Sequence, residues 1–283
     1  MRLRVHAAAV NPTDVMARNG SRAEVQKADP PPYVPGMDAA GVVDEVGPGV
    51  ATGVKVGDKV MAMVVPKAAH GAYREQIALD QRAVVPQPAG VSHAEAASLP
   101  MNALTARLSL DLMGLKPGDV LCVTGAPGAY GGYVVQLAKH EGLTVVADAS
   151  EADAALVKQL GADMVIRRGE GFAERVRDAF PDGVDGLADG ALLNEAAIPA
   201  VRDGGAYTAV RGYKGTGERG IRFSQTFVRN YDGEYEKLDE LRRLAEAGVL
   251  TLRVADEYPP ERAGEAHARL EAGGTRGRLI IRF

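Results

Sequence analysis

The chain contains no tryptophan and a single cysteine, Cys122, among 283 residues. A lone thiol forms no internal disulfide. It lies in Val120-Leu121-Cys122-Val123, an apolar run short enough for a buried strand, so Cys122 reads as core rather than nucleophile. Neither sign of charge is in large excess, since 33 Lys and Arg oppose 37 Asp and Glu for a net −4. That balance offers no basic surface to nucleic acid or to an anionic bilayer. No apolar stretch reaches the ~18 residues of a membrane span, and the start carries no hydrophobic leader core, so a cytoplasmic location is expected. The histidines His6, His70, His93, His140 and His267 stand apart from one another and from cysteine, which gives no ligand spacing for a metal. Repeats, low-complexity tracts and long linkers are missing as well.

What the sequence does have is glycine at regular intervals after an apolar run. Residues 123–139 read Val-Thr-Gly-Ala-Pro-Gly-Ala-Tyr-Gly-Gly-Tyr-Val-Val-Gln-Leu-Ala-Lys, with Gly125, Gly128 and Gly131 three apart. A strand over 120–123 would meet a helix at a glycine turn, with Val134, Val135, Leu137 and Ala138 on the buried face. Such glycines let the backbone turn sharply, approach a pyrophosphate and pack against the strand, with the phosphates at the helix N-terminus. An ordinary glycine-rich strand-to-helix turn gives the same pattern, and the surrounding chain has to separate the two.

Residues 1–99 alternate in the manner of strands, at 3–10, 41–46, 60–65, 73–79 and 83–85, between turn signals such as Pro30-Pro31-Pro32. This predicts a small, mainly β domain. Ser92 and Glu95 have capping-box spacing for a short helix, and Pro100 marks a boundary. From there helix and strand alternate: strands at 120–123, 144–147 and 164–166, helices at 105–112, 132–140, 151–160 and 172–180, further strands at 186–188, 206–210 and 221–227. This βαβ succession predicts a doubly wound parallel sheet with the glycines at its first βα turn, the position a dinucleotide fold requires. A helix at 234–247, a strand at 250–254, a helix at 261–272 and an apolar run at 278–283 follow.

Several stretches together resemble the zinc-independent quinone oxidoreductase, zeta-crystallin-like, branch of the medium-chain dehydrogenase/reductase superfamily. They are His6-Ala7-Ala8-Ala9-Val10-Asn11-Pro12-Thr13-Asp14, Val34-Pro35-Gly36-Met37-Asp38-Ala39-Ala40-Gly41, Gly71-Ala72-Tyr73, Ala126-x-Gly128-x-x-Gly131 with Gln136-Leu137-Ala138-Lys139, and Leu160-Gly161-Ala162-Asp163. The resemblance implies an α/β protein with a Rossmann-type dinucleotide-binding domain over 100–249. A mainly β, GroES-like catalytic domain would be formed by 1–99 and 250–283. It implies about thirty residues, an ordinary strand pair, ahead of the stretch beginning at Leu3, so the catalytic domain reads as shortened. A misassigned start codon or an unusually open substrate cleft would account for that. Some quinone reductases of the branch carry tyrosines where this chain has Met16 and Arg22, which puts ring stacking on a quinone in doubt.

The ligand positions of zinc-dependent relatives match Asn11, Met37 and Met101, and an amide with two methionines is not a Zn2+ site. The resemblance further implies that Gly125, Ala126, Gly128, Ala129, Tyr130 and Gly131 line the pyrophosphate. Asn11, Met101, Thr105 and the turn from Val210 to Gly212 would adjoin the nicotinamide or substrate. Asn11 would donate a hydrogen bond to a carbonyl gaining negative charge, or else be a buried amide capping local backbone. Tyr73 is the remaining candidate proton donor, or a packing residue. Asp148, seventeen residues after Gly131, is near the ~20 expected of an acid that binds the ribose 2′-OH of NAD. A second register puts the strand tip at Ala149 with Ser150 next. Arg168 falls where the branch places a residue beside the 2′-phosphate of NADPH, a contact suited to a guanidinium.

The expectation is an NADPH-dependent reductase of quinones or related conjugated carbonyls, with NADH as the other coenzyme. An enoyl or 2-alkenal reductase, or an NADPH-binding protein with little turnover, would fit the same motifs. Relatives often form homodimers through strands such as 221–227.

Overall fold

The computed structural model describes all 283 residues. In chain order the strands are β1 (Arg2–Ala9), β2 (Asp38–Glu45), β3 (Lys59–Met63), β4 (Gln76–Ala78), β5 (Val84–Pro86), β6 (Val120–Thr124), β7 (Thr144–Ala149), β8 (Met164–Arg167), β9 (Val184–Asp189), β10 (Val201–Ala209), β11 (Arg222–Gln225), β12 (Val254–Tyr258) and β13 (Arg278–Arg282). The α-helices are α1 (Pro12–Arg18), α2 (Ala23–Gln26), α3 (His93–Ala97), α4 (Pro100–Met113), α5 (Ala129–His140), α6 (Ala154–Gln159), α7 (Phe172–Ala179), α8 (Tyr235–Glu246) and α9 (Ala263–Glu271). None is long and apolar enough to cross a membrane.

The chain divides into two units, one of Met1–Met101, Arg229–Gly248 and Leu252–Phe283, the other of Asn102–Val228 and Val249–Thr251. In the first, β1 alternates so that Leu3, Val5 and Ala7 face inward, and six strands run in the order β12-β13-β1-β2-β3-β5 with β4 also on β1. The C-terminal strand β13 closes onto β1 in antiparallel register, Ala8 opposite Ile281. Leu3, Val43, Val60, Ala62 and Ile77 fill the core under the sheet, and Val10, Leu279 and Ile281 pack with Ala266 of α9 on a second face. The capping box forms: the Ser92 hydroxyl accepts from Glu95 N–H, and Ser92 N–H donates to the Glu95 carboxylate.

The second unit holds six parallel strands in the order β11-β10-β9-β6-β7-β8. The chain starts at the centre with β6, winds outward through β7 and β8, then returns to lay β9 on the other side of β6. The strand ends of β6 and β9 therefore flank the topological switch point, where doubly wound sheets bind their ligands.

Pro100 opens α4, at a helical position whose N–H needs no partner, one residue before the first segment of the first unit ends. Two sequence expectations change. The strand expected at 250–254 begins only at Val254 and runs on through Asp256 and Glu257, an exposed edge with no apolar alternation to betray it. Helix α8 groups with the first unit rather than with the nucleotide-binding segment. Helices α1 and α2 escaped the sequence because neither carries an apolar stripe; only Val15, with Asp14, is buried in α1 and nothing is in α2.

Candidate coenzyme and substrate site

The turn after β6 is a cradle that fits a dinucleotide. Gly125 has φ 69°, a left-handed conformation that glycine adopts without strain. A Cβ on Gly131 would lie 2.3 Å from the Gly125 carbonyl oxygen and 2.7 Å from the Ala126 Cα, so the helix approaches the strand as closely as a glycine permits. Gly128 is the residue before α5, and the first helical bond runs from Gly132 N–H to its carbonyl at 3.0 Å. The N–H groups of the preceding turn, from Ala129 to Gly131, thus face outward from the helix end, as anion binding requires. Tyr130 contributes backbone only. Its hydroxyl pairs with Ser109 at 2.8 Å, and its ring lies where a Cβ on Gly190 would be, so the side chain packs against the β9 turn instead of lining a pyrophosphate.

Across the switch point, Asp189 is fully buried at the end of β9. Its carboxylate accepts from Thr124 Oγ1 at 2.5 Å, from the Tyr207 hydroxyl at 2.9 Å and from Asn194 N–H at 2.8 Å. One carboxylate thereby ties the end of β6 to β9 and β10 beside the glycine turn. Sequence reading missed it; the signal was Asp189-Gly190, a strand ending in an acid and a glycine like the glycine turn itself.

The adenosine end of the site is at the end of β7. The strand runs through Ala149 and Ser150 precedes the next turn, so the register that places the tip at Ala149 is the observed one. Asp148 lies inside the strand, 3 % exposed, where its Oδ1 accepts from Ala126 N–H at 3.1 Å. It braces the glycine turn, and burial raises its carboxyl pKa. Ser150 Oγ donates to Asp153 Oδ2 at 2.6 Å, and Arg168 Nη2 is 3.8 Å from the same oxygen. Burial also raises the thiol pKa of Cys122, in keeping with a core residue.

The first unit assembles a second group of polar residues. Asn11 and Asp38 are fully buried, with Arg278 4 % exposed. Arg278 donates to Asp38 Oδ2 at 3.0 Å and to Asn11 Oδ1 at 2.7 Å, while Asn11 Nδ2 donates to Asp38 Oδ2 at 2.9 Å and to the Ala9 carbonyl at 3.1 Å. Both amide hydrogens of Asn11 are therefore taken. Of the two roles the sequence offered Asn11, a donor to a substrate carbonyl or a buried amide held to local backbone, these contacts match the second, with the amide also bridging an ion pair. Met101 enters through its backbone, whose N–H donates to Asp38 Oδ1 at 2.6 Å. Met37 accepts at its sulfur from Thr13 Oγ1 at 3.1 Å. A committed amide and two thioethers offer Zn2+ neither thiolate, imidazole nor carboxylate, so these positions do not fit that ion.

Tyr73 belongs to the same group. Its hydroxyl is 3.3 Å from Asp14 Oδ2 and 3.2 Å from His267 Nε2. The Nδ1 of His267 is buried without a partner. A stranded acceptor costs less than a stranded N–H, so the proton belongs on Nε2, donating to Tyr73, which in turn donates to Asp14. Asp14 also accepts from Asn11 N–H at 2.8 Å and Gly36 N–H at 2.9 Å. Burial nonetheless lifts its carboxyl to about 6 and lowers the pKa of His267. Thr105 is buried on α4 and its carbonyl accepts from Ser109, in the second unit. The Val210–Gly212 turn follows β10 there, with Arg211 at φ 61° and the Gly212 carbonyl held by Gln225.

A glycine cradle at the switch point of a parallel sheet, in a chain whose other unit is mainly β and closed by the C-terminal strand, defines a class: dinucleotide-dependent oxidoreductases of two units. Residues 1–90 match the family described as alcohol dehydrogenase GroES-like domain, and 160–281 match the one described as zinc-binding dehydrogenase. The 2-methylene-furan-3-one reductase of Solanum lycopersicum is 32% identical, over 99% of this chain and 70% of its own length. The chloroplastic NADPH-dependent alkenal/one oxidoreductase of Arabidopsis thaliana is 31% identical, over 99% and 71%. The structure of the quinone oxidoreductase from Coxiella burnetii superposes with a TM-score of 0.86 at 29% identity, covering 100% of this chain and 90% of that one. The chain belongs to the medium-chain dehydrogenase/reductase superfamily, among its quinone and alkenal/one oxidoreductases.

Proposed function

We propose that the chain is an NADPH-dependent reductase that works without zinc and passes hydride to a quinone or a related conjugated carbonyl. The observation that carries this reading is the donor set at Asn11, Met37 and Met101, each engaged in protein contacts that suit no Zn2+. A carbonyl that is reduced without a Lewis acid must spread the arriving charge itself, and a quinone does so across its ring. Bound NADPH would supply the hydride from its nicotinamide ring. The chain's own groups then bind and orient: the first turn of α5 holds the pyrophosphate, Asp148 and Asp189 keep that turn in place, and Ser150 with Arg168 faces the 2′ side of the ribose. Thr105 and the turn at Val210 and Gly212, all in the second unit, are the proposed neighbours of the nicotinamide ring. One hydride and one proton from water convert quinone to hydroquinone, so no side-chain acid is required.

A second reading is favoured by one observation. The hydroxyl of Tyr73 sits in a shared hydrogen-bond chain with Asp14 and His267. Such a chain can relay a proton, which reduction of an enone C=C needs at carbon, and two of the relatives carry names of that chemistry. The parallel edge strand β11 pairs only with β10, which supports a homodimer formed along its free side. The cytoplasm remains the proposed location.

The test is NADPH oxidation against a panel of quinones and enones at fixed protein concentration. Quinones turning over with the higher kcat/KM are expected. Turnover confined to enones overturns the quinone reading in favour of the alternative, and coenzyme binding with no turnover on any acceptor overturns both.

A further inference from the structure

Asp153 occupies a place in the coenzyme site for which the proposed chemistry has no use. It closes the single turn Glu151–Asp153 after β7, immediately before α6, and is 7% exposed. Its Oδ2 accepts the hydrogen of Ser150 Oγ at 2.6 Å and faces Arg168 Nη2 at 3.8 Å. Ser150 after β7 and Arg168 after the neighbouring β8 are the hydroxyl and the cation this corner can offer to a phosphate. Arg168 is fixed there by its own backbone, whose N–H donates to the Ala149 carbonyl at 3.0 Å. A few residues away Asp148 adds a second carboxylate, bonded to Ala126 N–H, and Arg168 lowers its pKa against the larger effect of burial. The two buried carboxylates Asp148 and Asp153 thus both act on the Arg168 guanidinium.

The two nicotinamide coenzymes make opposite demands on such a corner. A ribose 2′-OH is served by an acceptor, whereas a 2′-phosphate needs donors and positive charge. We propose that Asp153 is the residue that sets coenzyme preference: its carboxylate stands in for a 2′-phosphate, holding the Ser150 hydroxyl and offsetting Arg168. The inference rests on the reading of Ser150 and Arg168 as the 2′ side of the site. NADPH must turn an internal anion away from the two groups its phosphate requires, while NADH meets no like charge. The chain therefore discriminates between the coenzymes less than its Ser150 and Arg168 alone would allow.

Asp153→Asn keeps an acceptor for Ser150, removes the charge and adds a donor toward the phosphate. Fluorescence titration of the full-length protein with NADPH and with NADH reads the effect without turnover. Adenosine 2′,5′-bisphosphate and AMP serve as fragment probes, and Asp153→Ser is a second variant in case the first folds poorly. Removal of one close like charge predicts roughly tenfold tighter NADPH, with NADH within about twofold, and the bisphosphate gaining over AMP in parallel. Arg168→Gln should weaken NADPH more in the Asp153→Asn background than alone. Equal changes for both coenzymes, or weaker NADPH binding by both Asp153 variants, overturn the inference. A wild-type protein that prefers NADH contradicts the NADPH reading yet supports the role of Asp153 when the variants move the ratio toward NADPH. Failure of every form to bind either coenzyme overturns both.

Discussion

Asp14 accepts hydrogen bonds from Asn11 N–H, Gly36 N–H and the Tyr73 hydroxyl, yet burial still lifts its carboxyl to about 6. The unfolded carboxyl titrates near ~3.9, so between these values the folded chain binds more protons than the unfolded one. The group's contribution to stability is fully present below the lower value and is lost as pH rises through the higher. Asp14→Asn does not titrate, so denaturant unfolding should find the wild type's advantage over it larger at about pH 5 than at about pH 7. An advantage that grows toward neutral pH contradicts the assignment. Beside it, Arg278→Met leaves the Asp38 charge buried and unpaired and should destabilise by about 3–5 kcal/mol. The double change with Asp38→Asn should lose less than the sum of the single changes. The sequence offered Asn11 as a buried amide but not its partners, because Asn11 meets Asp38 27 residues away and Arg278 267 residues away. The sequence marked Asn11 as unusual for lacking a zinc ligand's sulfur; only the partners reveal that its amide is spent on them.

At the scale of elements, the glycine turn was the most legible feature, since its requirements are local: an apolar strand, three glycines and an apolar helix face within one short stretch. The structure grades those glycines. A Cβ at position 128 would lie 3.1 Å from the Gly125 oxygen, against 2.3 Å at 131. Gly→Ala inside a helix ordinarily stabilises by ~0.5–1 kcal/mol, but at 131 the backbone must shift. Gly131→Ala is expected to lower the melting temperature and to cost at least about tenfold in coenzyme affinity, or ~1.4 kcal/mol. Gly128→Ala should cost less, and equal losses in coenzyme titrations would count against the cradle. Parallel strands β6 and β7 announced themselves through the apolar runs at 120–123 and 145–147, because both faces are covered, whereas β9, with Asp185 and Gly186 in it, showed only a short apolar piece. Strand β12 did not, since Ala255, Asp256 and Glu257 are exposed on a sheet edge.

For the whole molecule, the alternation of helix and strand fixed the class of the second unit, but the discontinuity of the first came only from family resemblance and is visible in the pairing of β13 with β1. No local pattern could place α8, whose apolar stripe at Leu238 and Leu241 suits a core in either unit. The free side of β11 predicts a homodimer, so light scattering should return about twice the 29.7 kDa chain mass at micromolar concentration; a monomer contradicts pairing along that edge. The proposed reaction is hydride transfer to a quinone by a chain whose zinc-ligand positions hold Asn11, Met37 and Met101. Its most direct test is NADPH oxidation by a quinone after exhaustive chelation of the protein. An unchanged rate with one hydroquinone formed per NADPH consumed is expected; activity lost on chelation and restored by zinc would contradict zinc-free hydride transfer.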